Sequence, residues 1–317
     1  MKIPSVILFV SSIASALAAS ASVCPMANAH ASGAALQEIL KYKQSEHQIM
    51  AAYYRSWRDV ASNPKENRAA MDDLPDCLDI AFVFCQGSEP DAFFTTLRDK
   101  YAPALKKRGT KVVRTIAIDA ILDEKYANNI DGYQALAKHL FETYVVAHGL
   151  DGLDIDVERR LSKTQLKKAV GVFDALSRFI GPRSGTGKLF IYDTNQDGTT
   201  SLFQAVHSYI DFVLVQSYGR SLQKAQGTFN TYKPYISGKQ YLIGFSFYEE
   251  RGPAWGDVDV PTKTSRAYNY ALWQPQGARK GGIFSYAVDR DGVREGSNDL
   301  VPTDYSWTRQ LISAMNP

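Results

Sequence analysis

Short runs of aliphatic, β-branched and aromatic residues recur along the chain, separated by stretches whose apolar residues return every three or four positions. The runs are Ile49 to Tyr54, Leu78 to Cys85, Lys111 to Ile118, Leu153 to Glu158, Leu189 to Thr194, Phe212 to Tyr218, Leu242 to Tyr248 and Ile283 to Val288. Their composition predicts β-strands. Several are apolar on both faces, as parallel strands covered by helices must be. Between them, Tyr133, Leu136, Leu140, Tyr144 and Val145 mark one helical face, and Gly149 stops that helix. Ser162 and Gln165 form a capping box for the next helix, whose stripe is Leu166, Val170, Phe173, Leu176 and Phe179. Eight strands alternating with helices predict an α/β fold, a single-domain (β/α)8 barrel. A doubly wound sheet is the competing pattern, but no glycine-rich phosphate turn follows the first strand.

The N-terminus reads differently. Lys2 precedes an apolar run from Val6 to about Ala19, and Ala16-Leu17-Ala18 has the small residues that a signal peptidase reads. Residues 1–23 are expected to be a signal peptide, 24–48 an N-terminal extension and 49–317 the barrel. The chain is therefore expected to be secreted, extracellular or periplasmic. Cys24 raises lipidation, though Val23 before it is poor for lipoprotein processing; without lipidation no membrane association is expected. Of the other cysteines, Cys77 and Cys85 are separated mostly by strand, roughly 25 Å at ~3.3 Å per residue, too far to pair. The expectation is two buried thiols and no disulfide. Net charge is +3 with Lys and Arg spread evenly, so nothing demands a nucleic acid. The five histidines do not cluster and no cysteine joins them, so no metal or cofactor is expected.

The fourth run departs from the apolar rule. Asp154, Asp156 and Glu158 alternate with Leu153, Ile155 and Val157. In a strand the three carboxyls share one face and the aliphatics the other. The acidic face must then line the barrel interior, where desolvation and mutual repulsion are costly unless function requires them. Glycosidic bond cleavage fits: a leaving sugar oxygen needs a proton from an acid still protonated near neutrality, and a neighbouring carboxylate in a dry cavity raises such an acid. Glu158, at the strand's C-terminal end where barrel sites open, is the expected donor, and Asp156 its partner.

Asp151-Gly152-Leu153-Asp154-Ile155-Asp156-Val157-Glu158 resembles the DGxDxDxE signature of glycoside hydrolase family 18, with every fixed position matched. The resemblance implies retaining hydrolysis in which the substrate's own N-acetyl group attacks its anomeric carbon to give an oxazolinium ion. It implies Glu158 as acid/base, Asp156 as holder of the acetamide nitrogen, and Asp154 as sharing a proton or hydrogen bond with Asp156. Tyr218 matches a family tyrosine that meets the acetamide carbonyl, with Gln216 two residues before it on the same face. Family chitinases usually carry a tryptophan on the last strand as a sugar floor; here Tyr286 stands there, sharing a face with Phe284. LVQSYGRS with GGIFSYAVD resembles the bacterial F-type endo-β-N-acetylglucosaminidases within that family.

That resemblance implies cleavage of the chitobiose core of N-glycans on glycoproteins. A chitinase on the same scaffold and a non-catalytic glycan-binding barrel are the alternatives. Only Glu249 to Pro261 separates the seventh strand from the next helical run, leaving no room for the insertion that walls the groove of many bacterial chitinases. Trp57 and Trp255, after strands one and seven, are candidates to stack on glycan arms. Asp119 and Asn195, after strands three and five, are candidates to bind sugar hydroxyls. Trp273 and Trp307 are expected in the core.

Overall fold

The computed structural model describes Cys24, residues 30–258 and residues 262–317. The expected signal peptide, residues 1–23, lies outside them. Eight parallel strands close into a barrel in sequence order. They are β1 (Ile49–Arg55), β2 (Ile80–Phe84), β3 (Lys111–Ala117), β4 (Gly152–Asp156), β5 (Leu189–Thr194), β6 (Phe212–Gln216), β7 (Tyr241–Ser246) and β8 (Gly282–Tyr286). The doubly wound alternative is excluded. Each strand's apolar residues split between two cores by parity. Ala51, Tyr53, Ile80, Phe82, Val113, Ile191, Leu214, Leu242 and Phe284 fill the barrel. The alternate set, including Leu153, Ile155 and Val157, packs outward under the helices. Burying a residue such as Leu or Phe stabilises the fold by about 1.5–3 kcal/mol.

Helix α1 (Gly33–Gln44) lies outside the barrel, with Ile39 buried and Lys43 Nζ donating to Leu78 O and Thr110 Oγ1. In α2 (Ile130–Phe141) Asn129 Oδ1 accepts from Gly132 N at 2.9 Å. A wider turn over Glu142–Val146 continues it, and Gly149 stops it at φ +63. The capping box of Ser162 and Gln165 opens α3 (Lys163–Leu176), as its sequence requires. Helix α4 (Ser306–Met315) buries Trp307, whereas Trp273 is only half-buried. Among the described residues no helix is long and apolar enough to cross a membrane.

The cysteine expectation is corrected. Cys24 and Cys77 form a disulfide, with Cα atoms 5.4 Å apart. Strand geometry correctly separates Cys77 from Cys85, but the partner of Cys77 lies 53 residues upstream, beyond the reach of local spacing. With its sulfur in a disulfide, Cys24 has no thiol for a lipid thioether. Cys85 is free and half-buried.

Candidate active site

Strand β4 carries the acidic face inward. In register, Asp154 sits between Thr115 of β3 and Ile191 of β5, and Asp156 between Ala117 and Asp193. Asp154 is fully buried, and its Oδ2 accepts from Tyr53 Oη and Thr115 Oγ1, both at 2.9 Å. Burial holds its carboxyl well above the usual range; the Tyr53 bond opposes this and the charge of Asp156 adds to it. Asp156, one inward step higher, is only partly buried. Burial, then the charge of Glu158, push it up to about 7, against a hydrogen bond from Gln216.

Glu158 lies past the end of β4, two residues beyond Asp156, rather than within the strand, and its side chain is exposed. The dry surroundings expected around it are not observed: Glu158 lines the cavity with its side chain exposed.

These groups open into a cavity of about 460 Å³ at the C-terminal end of the barrel. Its lining includes Asp156, Glu158, Asn195, Gln216, Tyr218, Trp255 and Tyr286. Gln216 Nε2 donates to Asp156 Oδ1 at 3.3 Å and to Asp193 Oδ2 at 2.8 Å. Tyr218 is half-buried, and burial, then Asp193, raise its phenol well above 10, keeping it a donor. Its ring centroid lies 6.2 Å from that of Tyr286 and 6.1 Å from that of Trp255. Phe284 faces the barrel interior while Tyr286 lines the cavity, so the two share the inward face as their spacing requires. The result is a bowl with aromatic walls and an acidic floor, suited to a pyranose that presents an apolar face and an amide.

The rim is built from charges and strained backbone. Fully buried Arg55, at the end of β1, pairs with Asp289 at 2.7 Å, Glu250 at 2.8 Å and Glu249 at 3.2 Å. Glu249 lines the cavity and hydrogen-bonds Tyr286. Ala287, following Tyr286, adopts the left-handed region at φ 55, a strain held by its complete burial. Gly219 sits at φ +65, where a Cβ would come within 2.9 Å of the Trp255 ring, so only glycine lets the indole close over Tyr218. Buried Asp257 fixes that loop by accepting from Gly219 N and Ser246 N, while Arg266 donates to Trp255 O.

Two candidates from the sequence fall outside. Asp119 is exposed, is absent from the cavity lining and pairs with Arg159 at 2.5 Å. Trp57 does not line the cavity either; its ring packs 5.9 Å from Phe84, which does, with the Arg55 guanidinium 5.6 Å away. Tyr53, Phe84, Asp193, Arg220 and Glu249 line the cavity without having been singled out. Asp193 had a signal: it is an acid at inward parity, two residues after Ile191, following four apolar or aromatic strand residues. Among the described residues no group of three or more His, Cys, Asp or Glu is placed to hold a metal ion.

Known proteins share this arrangement. Residues 52–285 match the model of the EndoS endo-β-N-acetylglucosaminidase TIM-barrel domain. The chain is 44% identical to endo-β-N-acetylglucosaminidase F2 of Elizabethkingia meningoseptica, covering 89% of this chain and 86% of that protein. It is 32% identical to EndoS of Streptococcus pyogenes serotype M1 over 88% of this chain, but covers only 35% of EndoS. The crystal structure of an endo-β-N-acetylglucosaminidase from Cordyceps militaris superposes with a TM-score of 0.92 at 60% identity, over 93% of this chain and all of that one. A variant of that enzyme, with an aspartate changed to asparagine and a glutamate two positions on changed to glutamine, is known in complex with fucosyl-N-acetylglucosamine-Asn. With a closed eight-stranded barrel whose fourth strand and the residues flanking it carry DGLDIDVE, the chain belongs to the endo-β-N-acetylglucosaminidases of glycoside hydrolase family 18.

Proposed function

We propose that this enzyme cuts the β1,4 bond between the two N-acetylglucosamines of the N-glycan core, leaving one on the asparagine, by retaining, substrate-assisted hydrolysis. The observation that carries the mechanism is the placement of Asp156 and Glu158 on one cavity above the buried Asp154. The acetamide oxygen of the sugar on the non-reducing side attacks its own anomeric carbon as the bond to the leaving oxygen breaks. Glu158 donates its proton to that oxygen. Asp156 accepts the acetamide N–H and balances the oxazolinium charge, while Tyr218 donates to the acetamide oxygen and Tyr286 supports the ring. Glu158, now a carboxylate, takes a proton from the water that opens the ring from the same face, so configuration is retained. No protein nucleophile is needed.

The reading extends to core-fucosylated glycans on glycoproteins, supported by the fucosylated asparagine-linked sugar bound to the Cordyceps militaris relative. Secretion, extracellular or periplasmic, is part of the proposal. The leader-like residues 1–23 and the Cys24–Cys77 disulfide, which needs an oxidising compartment, support it.

The test is to incubate the protein separately with a denatured N-glycoprotein and with chitin oligomers, and to weigh the products. One N-acetylglucosamine left on asparagine is the expected result. Shortened oligomers alone would make the protein a chitinase, and no cleavage of either would make it a glycan-binding barrel.

A further inference from the structure

Asp193 is the carboxyl for which the mechanism above has no use. It lies at the end of β5, 3% exposed, in register beside Asp156. Its Oδ2 takes the shorter bond from Gln216 Nε2, 2.8 Å, while Asp156 takes the longer one, 3.3 Å. A primary amide has two hydrogens on that nitrogen, so one Gln216 spans the two acids. Asp193 Oδ1 is buried and has no hydrogen-bond partner among the described residues, although the side chain borders the cavity.

The charges around it decide its state. From β4 it faces Asp154, Asp156 and, farther out, Glu158. From β1 it faces the phenol of Tyr53, from just past β6 that of Tyr218, and beside it on β5 stands Tyr192. The cavity's cation, Arg220, spends Nη2 on Asn195 O at 2.6 Å. A second anion beside Asp156 would be dry, repelled and half unpaired, so the neutral acid is the stable form. The direction of its titration agrees: burial, then the charges of Asp156 and Asp154, hold it well above the usual carboxyl range.

We propose that Asp193 is a positioning residue of the reaction: as a neutral acid bridged to Asp156 by Gln216, it anchors the amide that orients Asp156 toward the substrate's acetamide and leaves Asp156 free to carry the negative charge. This rests on the endoglycosidase reading of the site. It also explains why an acid rather than an apolar residue stands at the last inward position of β5. Its carboxyl accepts from Gln216 through one oxygen, and the other is buried without a hydrogen-bond partner among the described residues, which costs a neutral acid less than an anion.

The test compares Asp193→Asn and Asp193→Ala with the wild type on an N-glycopeptide, measuring kcat and KM from acid to alkaline pH, with melting temperatures as the check on folding. Asparagine copies the neutral acid in shape and still accepts from Gln216. It is expected to keep kcat within a few-fold, with a pH profile that overlays the wild type's. Alanine releases Gln216 and is expected to lower kcat by about tenfold to a hundredfold, the size of a small misplacement, with KM little changed. An Asn variant as impaired as the Ala variant would show that the charge is needed and would overturn the proposal. So would an Asn profile displaced to lower pH, which marks a lost anion, or an Ala variant as active as the wild type. Should Asp193→Ala not fold, Asp193→Ser, too short to reach Gln216, takes its place. If the wild type itself releases no N-glycan, the substrate reading fails instead, and the same comparison is made on chitin oligomers.

Discussion

Asp156→Asn should make the protein more stable, and increasingly so as the pH rises. Asp156 is held at about 7 in the folded protein, against 3.8 for an aspartate free in water. Between those values the folded state keeps a proton that the unfolded chain has released. Raising the pH therefore draws the equilibrium toward unfolding, and stability is lost from about pH 4 up to about 7. The whole displacement corresponds to roughly 4 kcal/mol. Water at the cavity mouth screens part of it, leaving ~2 kcal/mol as the working figure. At roughly 2 °C per kcal/mol for a domain of this size, that is about 4 °C. Melting curves of both proteins across pH 4 to 8 should coincide at the acid end, separate through pH 5 to 7 and run parallel above. A difference that is constant with pH, or a variant less stable at pH 8 than at pH 4 relative to the wild type, would refute the burial and repulsion assigned to this carboxyl.

Four other outcomes follow from the same contacts. Glu158→Gln should lower kcat by roughly 10²–10⁴-fold or more while leaving the melting temperature within a degree or two, because the exposed side chain contributes chemistry and not packing. Asp156→Asn should lose hydrolysis yet still join a preformed sugar oxazoline to an acceptor, since the step it assists is bypassed; equal loss of both reactions would remove Asp156 from that role. Tyr286→Ala should weaken substrate use about tenfold or more with little thermal cost, the ring contact contributing ~0.5–1.5 kcal/mol beyond its area; a variant that unfolds while Tyr286→Phe is silent would make it core. Cys77→Ser should cost up to about 4 kcal/mol, from the loop that a disulfide with 53-residue separation closes, and be read as a lowered melting temperature that reductant reproduces in the wild type.

The barrel was legible because its signal is local. Apolar runs of strand composition repeat eight times with helical signals between them, and the strand ends differ from those expected by only one or two residues. The acidic face of β4 was legible for the same reason: parity alone sends Asp154 and Asp156 inward. What parity does not give is the neighbour across the barrel. Tyr53 reaches Asp154 from a position 101 residues away, and Gln216 joins Asp193 to Asp156 only because β4, β5 and β6 lie side by side. Asp193 carries the same local signal as the acids of β4, a carboxyl at inward parity two residues after Ile191. Trp57 and Asp119 show the converse limit, since neither lines the cavity. Both follow strands on the active face, but Asp119 pairs with Arg159, and the Trp57 ring packs beside Phe84, which lines the cavity while Trp57 does not. The Cys24–Cys77 pair was hidden by its 53-residue separation, which local spacing does not reach.

The most direct measurement is digestion of a core-fucosylated N-glycopeptide, followed at once by proton NMR of the released glycan and mass spectrometry of the peptide. The expected result is a peptide that keeps one N-acetylglucosamine with its fucose, and a glycan that first appears as the β anomer, because Glu158 and the substrate's acetamide act in turn on the two faces of one anomeric carbon. A glycan first seen as the α anomer, or a peptide stripped to bare asparagine or aspartate, would contradict it.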